Sequence, residues 1–455
     1  MDNDSKACDQ SDSIFIVWMR HLDKYKSHEL AARLAFQHLR REPVDATHLS
    51  QGSFNRCYRV KFRKGSDVVV RFPALGRSMF RREKLEDEIA VMAYIASHTS
   101  IPVPRVLASG TSVVGPYMIM DFVEGTPLSD YLRASQDPNV PSALNLDLDT
   151  DTLRRAYCAM AEILLELSKC RFSAIGGIAC QDSGEFSVGK RAMTFNMNEL
   201  VGLANFPPKQ LAQRSFRDAP SYLTSLADTH LLHLETQRND AVTDEDDCRK
   251  KYLARCLFRQ VCSTFSTTYA NGPFPLFCDD LRPANVLVDG DLRVRGVIDW
   301  EFSYAAPAEF THCTPWWLLL ARPDTWDGGI DNFLTHYKSR QNIFLEILRQ
   351  VEEGQQLERG LVPHAPRLSE RMAASLEDGR FWILLAATYS FSFDEIYWKF
   401  IHPKYYGPDN SVEGALKFLS EEEQNRMEPF VKAKIQQMQE GGLDPHRTLE
   451  EMTNA

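Results

Sequence analysis

Phe277-Cys278-Asp279-Asp280-Leu281-Arg282-Pro283-Ala284-Asn285-Val286-Leu287-Val288-Asp289-Gly290, followed by Val297-Ile298-Asp299-Trp300-Glu301, is the stretch on which the reading of this chain turns. Asp280 and Asn285 stand in a D-x-x-x-x-N spacing, with Asp299 further downstream. Asp289-Gly290 separates the apolar runs Val286–Val288 and Val294–Ile298. Asp-Gly between such runs predicts a hairpin, because both residues tolerate the positive φ of tight turns. Asn285 enters the first strand and Asp299 leaves the second, so their side-chain oxygens end at the same edge. Asp280 precedes them on a short loop stiffened by Pro283.

This spacing suits phosphoryl transfer. A hard divalent cation such as magnesium takes oxygen ligands, usually one or two carboxylates together with substrate phosphates. Asn285 and Asp299 are the candidate metal ligands. Asp280 is the candidate base, able to orient a hydroxyl nucleophile and accept its proton. A surface loop and a hairpin whose polar residues serve only the turns would contain the same residue types. The hairpin between Asn285 and Ile298-Asp299 is the specific demand that favours the catalytic reading.

Asp280-Leu281-x-x-x-Asn285 with Val297-Ile298-Asp299-Trp300 resembles the aminoglycoside phosphotransferase family and its choline-kinase-like relatives, which share the protein-kinase-like fold. The longer string Cys278 to Asn285, with Asp299-Trp300-Glu301-Phe302, looks like the fungal branch of that family. The resemblance covers residues 48 to 320. The family usually has His-Gly-Asp-Leu where this chain has Cys278-Asp279-Asp280-Leu281. The His braces the catalytic loop there, and Cys278 cannot do so in the same way.

The resemblance implies an α/β (α+β) fold in two lobes. Residues 1–43 form an N-terminal helical extension. Residues 44–125 form a small β-rich nucleotide-binding lobe, and 126–455 a large, mostly helical lobe carrying the catalytic loop and metal site. It implies ATP and magnesium, with the γ-phosphoryl group passing to a hydroxyl of a small molecule. The alternative from another class is a nucleotide-binding pseudokinase or scaffold without significant catalysis. Cys278 favours that alternative, and intact Asp280, Asn285 and Asp299 oppose it. Pro307 follows Asp299 by only eight residues, which leaves no room for a protein kinase's activation loop and favours a small-molecule acceptor.

In the N-lobe, Gln51-Gly52-Ser53-Phe54-Asn55 is the candidate phosphate loop. Small residues let backbone N–H groups approach phosphate oxygens. The β-rich runs Cys57–Phe62 and Val68–Phe72 flank a turn at Arg63–Asp67 and read as a hairpin. By the resemblance, Arg71 at the end of the second strand contacts the nucleotide phosphates. Phe80–Ser97 reads as a helix whose stripe of Glu88, Val91, Met92 and Ile95 puts a carboxylate among apolar residues, where it requires a partner. Arg71 is that partner by analogy with the strand–helix ion pair of kinase-like folds. The alternative is that Glu88 joins Glu86 and Asp87 on a solvated face. Tyr117–Leu128 resembles the interlobe linker, with backbone groups around Asp121, Phe122 and Val123 meeting adenine.

The bulk numbers bound the rest. The 455 residues are 44% hydrophobic and 11% aromatic, as in an ordinary globular protein. A net charge of −10 argues against broad electrostatic binding to nucleic acid or anionic membranes. Ten cysteines without a C-x-x-C pair fit reduced thiols and a cytoplasmic setting. The acidic start Met1–Lys6 lacks the pattern of a signal peptide. The apolar run at Phe381–Phe393 is too short to span a membrane. Nothing in the sequence sets an oligomeric state or names the acceptor.

Along the chain, residues 1–12 are expected to be disordered, with helices at Ser13–Leu22 and His28–Arg41. Asp151–Lys169 and Lys251–Tyr269 read as core helices. Residues 181–246 read as a less regular insertion, with Asp244–Asp247 a solvated acidic loop. Pro315–Leu320 is expected to be core packing. Phe333–Glu352, Phe381–Phe400 and Glu421–Gln439 read as helices.

Overall fold

The computed structural model describes residues 1–137, 139–181, 183–359 and 366–446. The N-lobe is an antiparallel sheet in the order β1-β2-β3-β5-β4. Its strands are β1 (Pro43–Gln51), β2 (Asn55–Phe62), β3 (Val68–Pro73), β4 (Val106–Ser112) and β5 (Gly115–Asp121). Two helices precede it, α1 (Ser5–Lys24) and α2 (Ser27–Leu39), and α3 (Arg81–His98) follows β3.

β3 is buried along its whole length, which explains its unbroken Val68-Val69-Val70 run. Strand alternation sorts its side chains. Val68, Val70 and Phe72 pack with Trp18, Leu22, Leu30 and Leu34 of α1 and α2. Val69 joins the core beneath α3, with Val91 and Ile95. Arg71 shares the Val69 face and so points at α3 and the cleft between the lobes.

α1 begins at Ser5, earlier than expected. Asp4 is fully buried, and its carboxylate caps the N–H groups of Lys6 and Ala7, each at 3.0 Å, and also accepts from Asn239. The first residues are therefore ordered by long-range contacts that local composition does not reveal. Trp18 Nε1 donates to the Val114 carbonyl in the N-lobe at 2.8 Å, while Ser11 Oγ donates to Gly202 O in the C-lobe at 2.7 Å. One helix thus spans both lobes. It lies on the Gly76 turn: a Cβ at Gly76, where φ is +83°, would sit 2.5 Å from Ser11 O and 2.6 Å from Phe15 N. Gly76→Ala is expected to lower thermal stability through both the clash and the backbone conformation. The conformation alone costs on the order of 1–3 kcal/mol. An unchanged Tm would show that α1 does not need this close approach.

The C-lobe opens with β6 (Thr126–Pro127), which pairs with the strand at Val286–Val288, and α4 (Thr150–Ser168). β7 (Gly177–Cys180) comes first, and the expected irregular insertion over 181–246 instead contains β8 (Phe186–Lys190), α5 (Phe195–Leu203) and α6 (Ala219–Thr236). α6 is announced by Asp218 as N-cap with Pro220 in the first turn, a start signal present in the sequence. The acidic run is the N-terminus of α7 (Glu245–Phe265): Asp244 caps it and its first turn is acidic, as the helix dipole favours.

Then come β9 (Leu276–Cys278), β10 (Val286–Val288), β11 (Val294–Val297) and β12 (Ser303–Ala305). Long helices at Gly329–Arg359 and Glu421–Glu440 follow. The helix expected over Phe381–Phe400 is broken: Arg380–Thr388 ends at Tyr389 and winding resumes at Phe393. A 3₁₀ turn at Ser390–Ser392 lies between them; the Ser390 N–H donates to Asn196 Oδ1 at 3.0 Å, and the Ser390 side chain is held by His230 Nδ1 at 3.0 Å. No helix among the described residues is long and apolar enough to cross a membrane.

Candidate active site

β10 and β11 form the expected hairpin, with Val286 opposite Val297. The Ile298 N–H donates to the Asn285 carbonyl at 2.9 Å, so Asn285 and Asp299 leave the hairpin at the same end. Pro283–Asn285 is a single 3₁₀ turn. Asn285 Nδ2 donates to the Asp280 carbonyl at 2.8 Å, which leaves its Oδ1 as the atom available to a cation and ties the loop of Asp280 to the hairpin. Asp280 is mostly buried and lies 3.0 Å from Arg282 Nε. Burial raises its carboxyl above the ordinary range, against the pull of Arg282 and Asn285.

Asp299 has φ +63° and Phe302 φ +61°. Asp adopts this left-handed conformation more readily than most residues. Phe302 does not, and its ring is held by T-shaped contacts with Phe54 and Phe195, each with centroids 5.6 Å apart. This tight turn aims Asp299 into the cleft. Burial and the charges of Glu301 and Asp280 raise the Asp299 carboxyl, while Arg71 and Lys84 oppose the shift.

Arg71 pairs with Glu88, and its Nη1 lies 3.2 Å from Asp299 Oδ1. Glu88 is buried (1% exposed), not part of a solvated face. One turn earlier on α3, Lys84 pairs with Glu301, both almost fully buried. Glu301 also accepts from Asn55 Nδ2 at 3.1 Å. Burial would raise the Glu301 carboxyl, but Lys84 and Arg71 overcome this and hold it below the usual range. Sequence reasoning missed Lys84 and Glu301. The available signal was Lys84 standing four residues before Glu88, hence on the same helix face.

The phosphate-loop residues Gly52, Ser53 and Phe54 connect β1 to β2, and Asn55 begins β2. The side chain of Gln51 lies outside the described residues. A Cβ on Gly52 would meet nothing closer than Asn55 O at 3.9 Å, so crowding is not what requires glycine there. Phe54 folds inward against Phe195. At the linker, one expectation needs correction: the Phe122 N–H donates to the Asp67 carbonyl at 3.1 Å, extending the sheet, so it is not available as a donor to adenine. Asp121 N–H likewise bonds Arg105 O at 3.0 Å. The Arg59 guanidinium covers the Phe122 ring at 3.8 Å. Val123 packs toward Gly296 of the hairpin.

On the other side of Asp280 lies a cavity of about 1120 Å³, walled by Phe54, Phe195, Glu199, Arg322, Trp326 and Tyr389 among others. Arg322 stacks over the Tyr389 ring at 4.4 Å. Trp317, Leu318 and Leu319 are core, as expected, but Trp316 is only partly buried and reaches this wall.

The pair Asn285 and Asp299 offers one amide oxygen and one carboxylate. That set fits a hard cation which keeps phosphate ligands, and it is too small to hold a metal alone. Consistently, no group of three His, Cys, Asp or Glu among the described residues could hold a metal ion.

A family model described as "Phosphotransferase enzyme family" matches residues 45–310. The chain is 23% identical over 307 residues to "Altered inheritance of mitochondria protein 9, mitochondrial" of Debaryomyces hansenii, covering 57% of this chain and 47% of that protein. It is 26% identical over 140 residues to a "Subtelomeric hrmA-associated cluster protein" of Aspergillus fumigatus, covering 30% and 24%. The chain therefore spans about half or less of the length of these curated relatives. Among solved structures, "Macrolide 2'-phosphotransferase type I" aligns with a TM-score of 0.41 at 14% identity, over 90% of this chain and 96% of that one.

Proposed function

The chain belongs to the phosphotransferase enzyme family, and on that premise we propose that it transfers the γ-phosphoryl group of ATP to a hydroxyl of a small molecule. The observation that supports this most is the hairpin register. It sets Asp280, Asn285 and Asp299 around one edge, opposite the Arg71–Glu88 pair of the other lobe. No single element could produce that set of groups.

Each residue then has a role. Asp280 orients the acceptor hydroxyl and accepts its proton. Asn285 and Asp299 hold magnesium, which when bound would neutralise charge on the phosphates. Arg71, fixed by Glu88, contacts the phosphates, and Gly52 to Asn55 cover them. Glu301 holds Asn55 and Lys84, and so anchors the phosphate loop to the hairpin. The acceptor enters the cavity beside Asp280. A rigid aromatic wall with an arginine stacked on it suits a bulky acceptor better than a small flexible one.

The test is thermal unfolding with and without ATP and magnesium, beside Asp299→Ala. A ligand at 100 times its Kd adds about 2.7 kcal/mol of apparent stability. The expected result is a magnesium-dependent shift in the wild type that Asp299→Ala loses. No shift with ATP or GTP would sink the phosphotransfer reading and leave a kinase-shaped scaffold as the better account.

A further inference from the structure

Asp279 stands immediately before the candidate base, and its carboxylate is fully engaged. Oδ2 accepts from the Phe195 N–H at 2.9 Å, and Oδ1 from the Tyr304 hydroxyl at 3.1 Å. Its own N–H donates to the Phe302 carbonyl at 3.1 Å. These partners come from three segments: the start of α5, the strand β12 and the tight turn after Asp299. Tyr304 is itself fixed, being fully buried and packed edge-on against Phe277.

Beyond these bonds, the peptide is tied to the hairpin where the Asp280 carbonyl accepts from Asn285 Nδ2 at 2.8 Å. The β9–β12 ladder is only three residues long, and short isolated pairs are marginal. The Cys278 thiol, a weak donor, reaches the Glu301 carbonyl at 3.7 Å and also interacts with the Ser303 side chain. Among the described residues no cation pairs with the Asp279 carboxylate, and Asp280, of the same sign, raises it further. Burial pushes Asp279 up to about 7 although both hydrogen bonds pull it down. A group so costly to bury is best explained by what it connects.

We propose that Asp279 is a positioning residue that holds the peptide carrying Asp280 and, through Phe195, the wall of the acceptor cavity, so that one carboxylate sets base and acceptor relative to each other. This rests on the phosphotransfer reading above. Phe195 makes the link: its N–H donates to Asp279, and its ring packs edge-on against both Phe54 and Phe302.

The test compares the full-length wild type with Asp279→Asn, Tyr304→Phe and the double variant. Three things are measured: amide hydrogen exchange over 276–288 and 193–199, magnesium-dependent ATP turnover with water as acceptor, and stabilisation by ATP and magnesium. Asp279→Asn is expected to speed exchange in both segments by about tenfold, the loss of roughly one hydrogen bond. Turnover is expected to fall roughly 10- to 10²-fold from misplacement of the base, while stabilisation by ATP and magnesium persists. A general loss of structure would remove both together. Tyr304→Phe, which keeps the ring and the carboxylate, is expected to speed exchange over 276–288 alone. The double variant should be no worse than Asp279→Asn, because the two act as one unit. Unchanged exchange in both folded single variants overturns the proposal, as does unchanged turnover in Asp279→Asn. If Asp279→Asn fails to fold, Tyr304→Phe decides by the same exchange readout. If the wild type gains no stability from ATP and magnesium, the phosphotransfer reading fails separately, and the exchange comparison still decides whether Asp279 holds the loop.

Discussion

Asp280→Asn is expected to lower turnover by roughly 10²- to 10⁴-fold, the contribution of a well-placed general base, while stabilisation by ATP and magnesium is retained. The substitution is nearly isosteric. The main contact that fixes the loop, Asn285 Nδ2 to the Asp280 carbonyl, involves backbone oxygen and survives it. What is lost is the capacity to accept a proton. The same residue sets the pH dependence. Burial raises the Asp280 carboxyl, so the ionised form that acts as base disappears as pH falls through a value above the ordinary aspartate range near 4. The acid limb of the rate should therefore lie above about pH 4, and Asp280→Asn should lack it. Turnover against pH for both proteins measures this. Full turnover in the variant would remove Asp280 from the role of base.

The largest effect on stability is expected at Glu301. Lys84 is 2% exposed and its ammonium lies over the rings of both Phe54 and Phe302, at 5.3 and 5.4 Å. Glu301→Ala leaves that charge buried without its partner, at a cost of about 3–5 kcal/mol. The charge and the cost go together, so the double substitution Lys84→Met with Glu301→Leu should recover a large part of the loss, because replacing a buried pair by apolar residues is often neutral. Urea unfolding of the four proteins gives the comparison. A loss below about 1 kcal/mol in Glu301→Ala, the range of exposed pairs, would mean that Lys84 finds water or another acceptor. The functional consequence follows from Asn55, which loses the carboxylate that accepts from it. The phosphate loop then loses its tether to the hairpin, and stabilisation by ATP and magnesium should weaken in Glu301→Ala.

Both results depend on groups that differ in how far the chain itself disclosed them. The hairpin of Asn285 and Asp299 is a local object: Asp289 closes the turn by accepting from the Asp291 and Arg293 N–H groups, with the positive φ falling at Leu292 and not at Gly290, and strand period sets the register. The same holds for the hairpin formed by β2 and β3, and for the side of β3 on which Arg71 lies. The stripe that places Glu88 on the buried face of α3 is likewise local. Family resemblance added the two-lobe arrangement, which the structure displays.

Other features needed the folded molecule. Lys84 and Glu301, or Asp279 and Tyr304, are joined only once both lobes and the C-lobe insertion have packed, and periodicity within one segment carries no information about a partner elsewhere in the chain. Asp4 becomes an N-cap because Asn239 and its neighbours enclose it, so a polar tail that looked disordered is helical from Ser5 onward. The helix expected through Tyr389 breaks where Asn196 takes the Ser390 N–H, and Tyr389 lies on the cavity wall. The Phe122 amide is withdrawn from the linker because Asp67, immediately before the neighbouring strand β3, offers a carbonyl that continues the β3–β5 ladder. The sequence by itself determined the chemistry-bearing hairpin and the N-lobe ladder, since turn propensity and period-two burial act between near neighbours. The tertiary structure decided which buried charges meet and which backbone donors are already engaged, because those choices depend on desolvation, and desolvation exists only once distant segments close over the same groups.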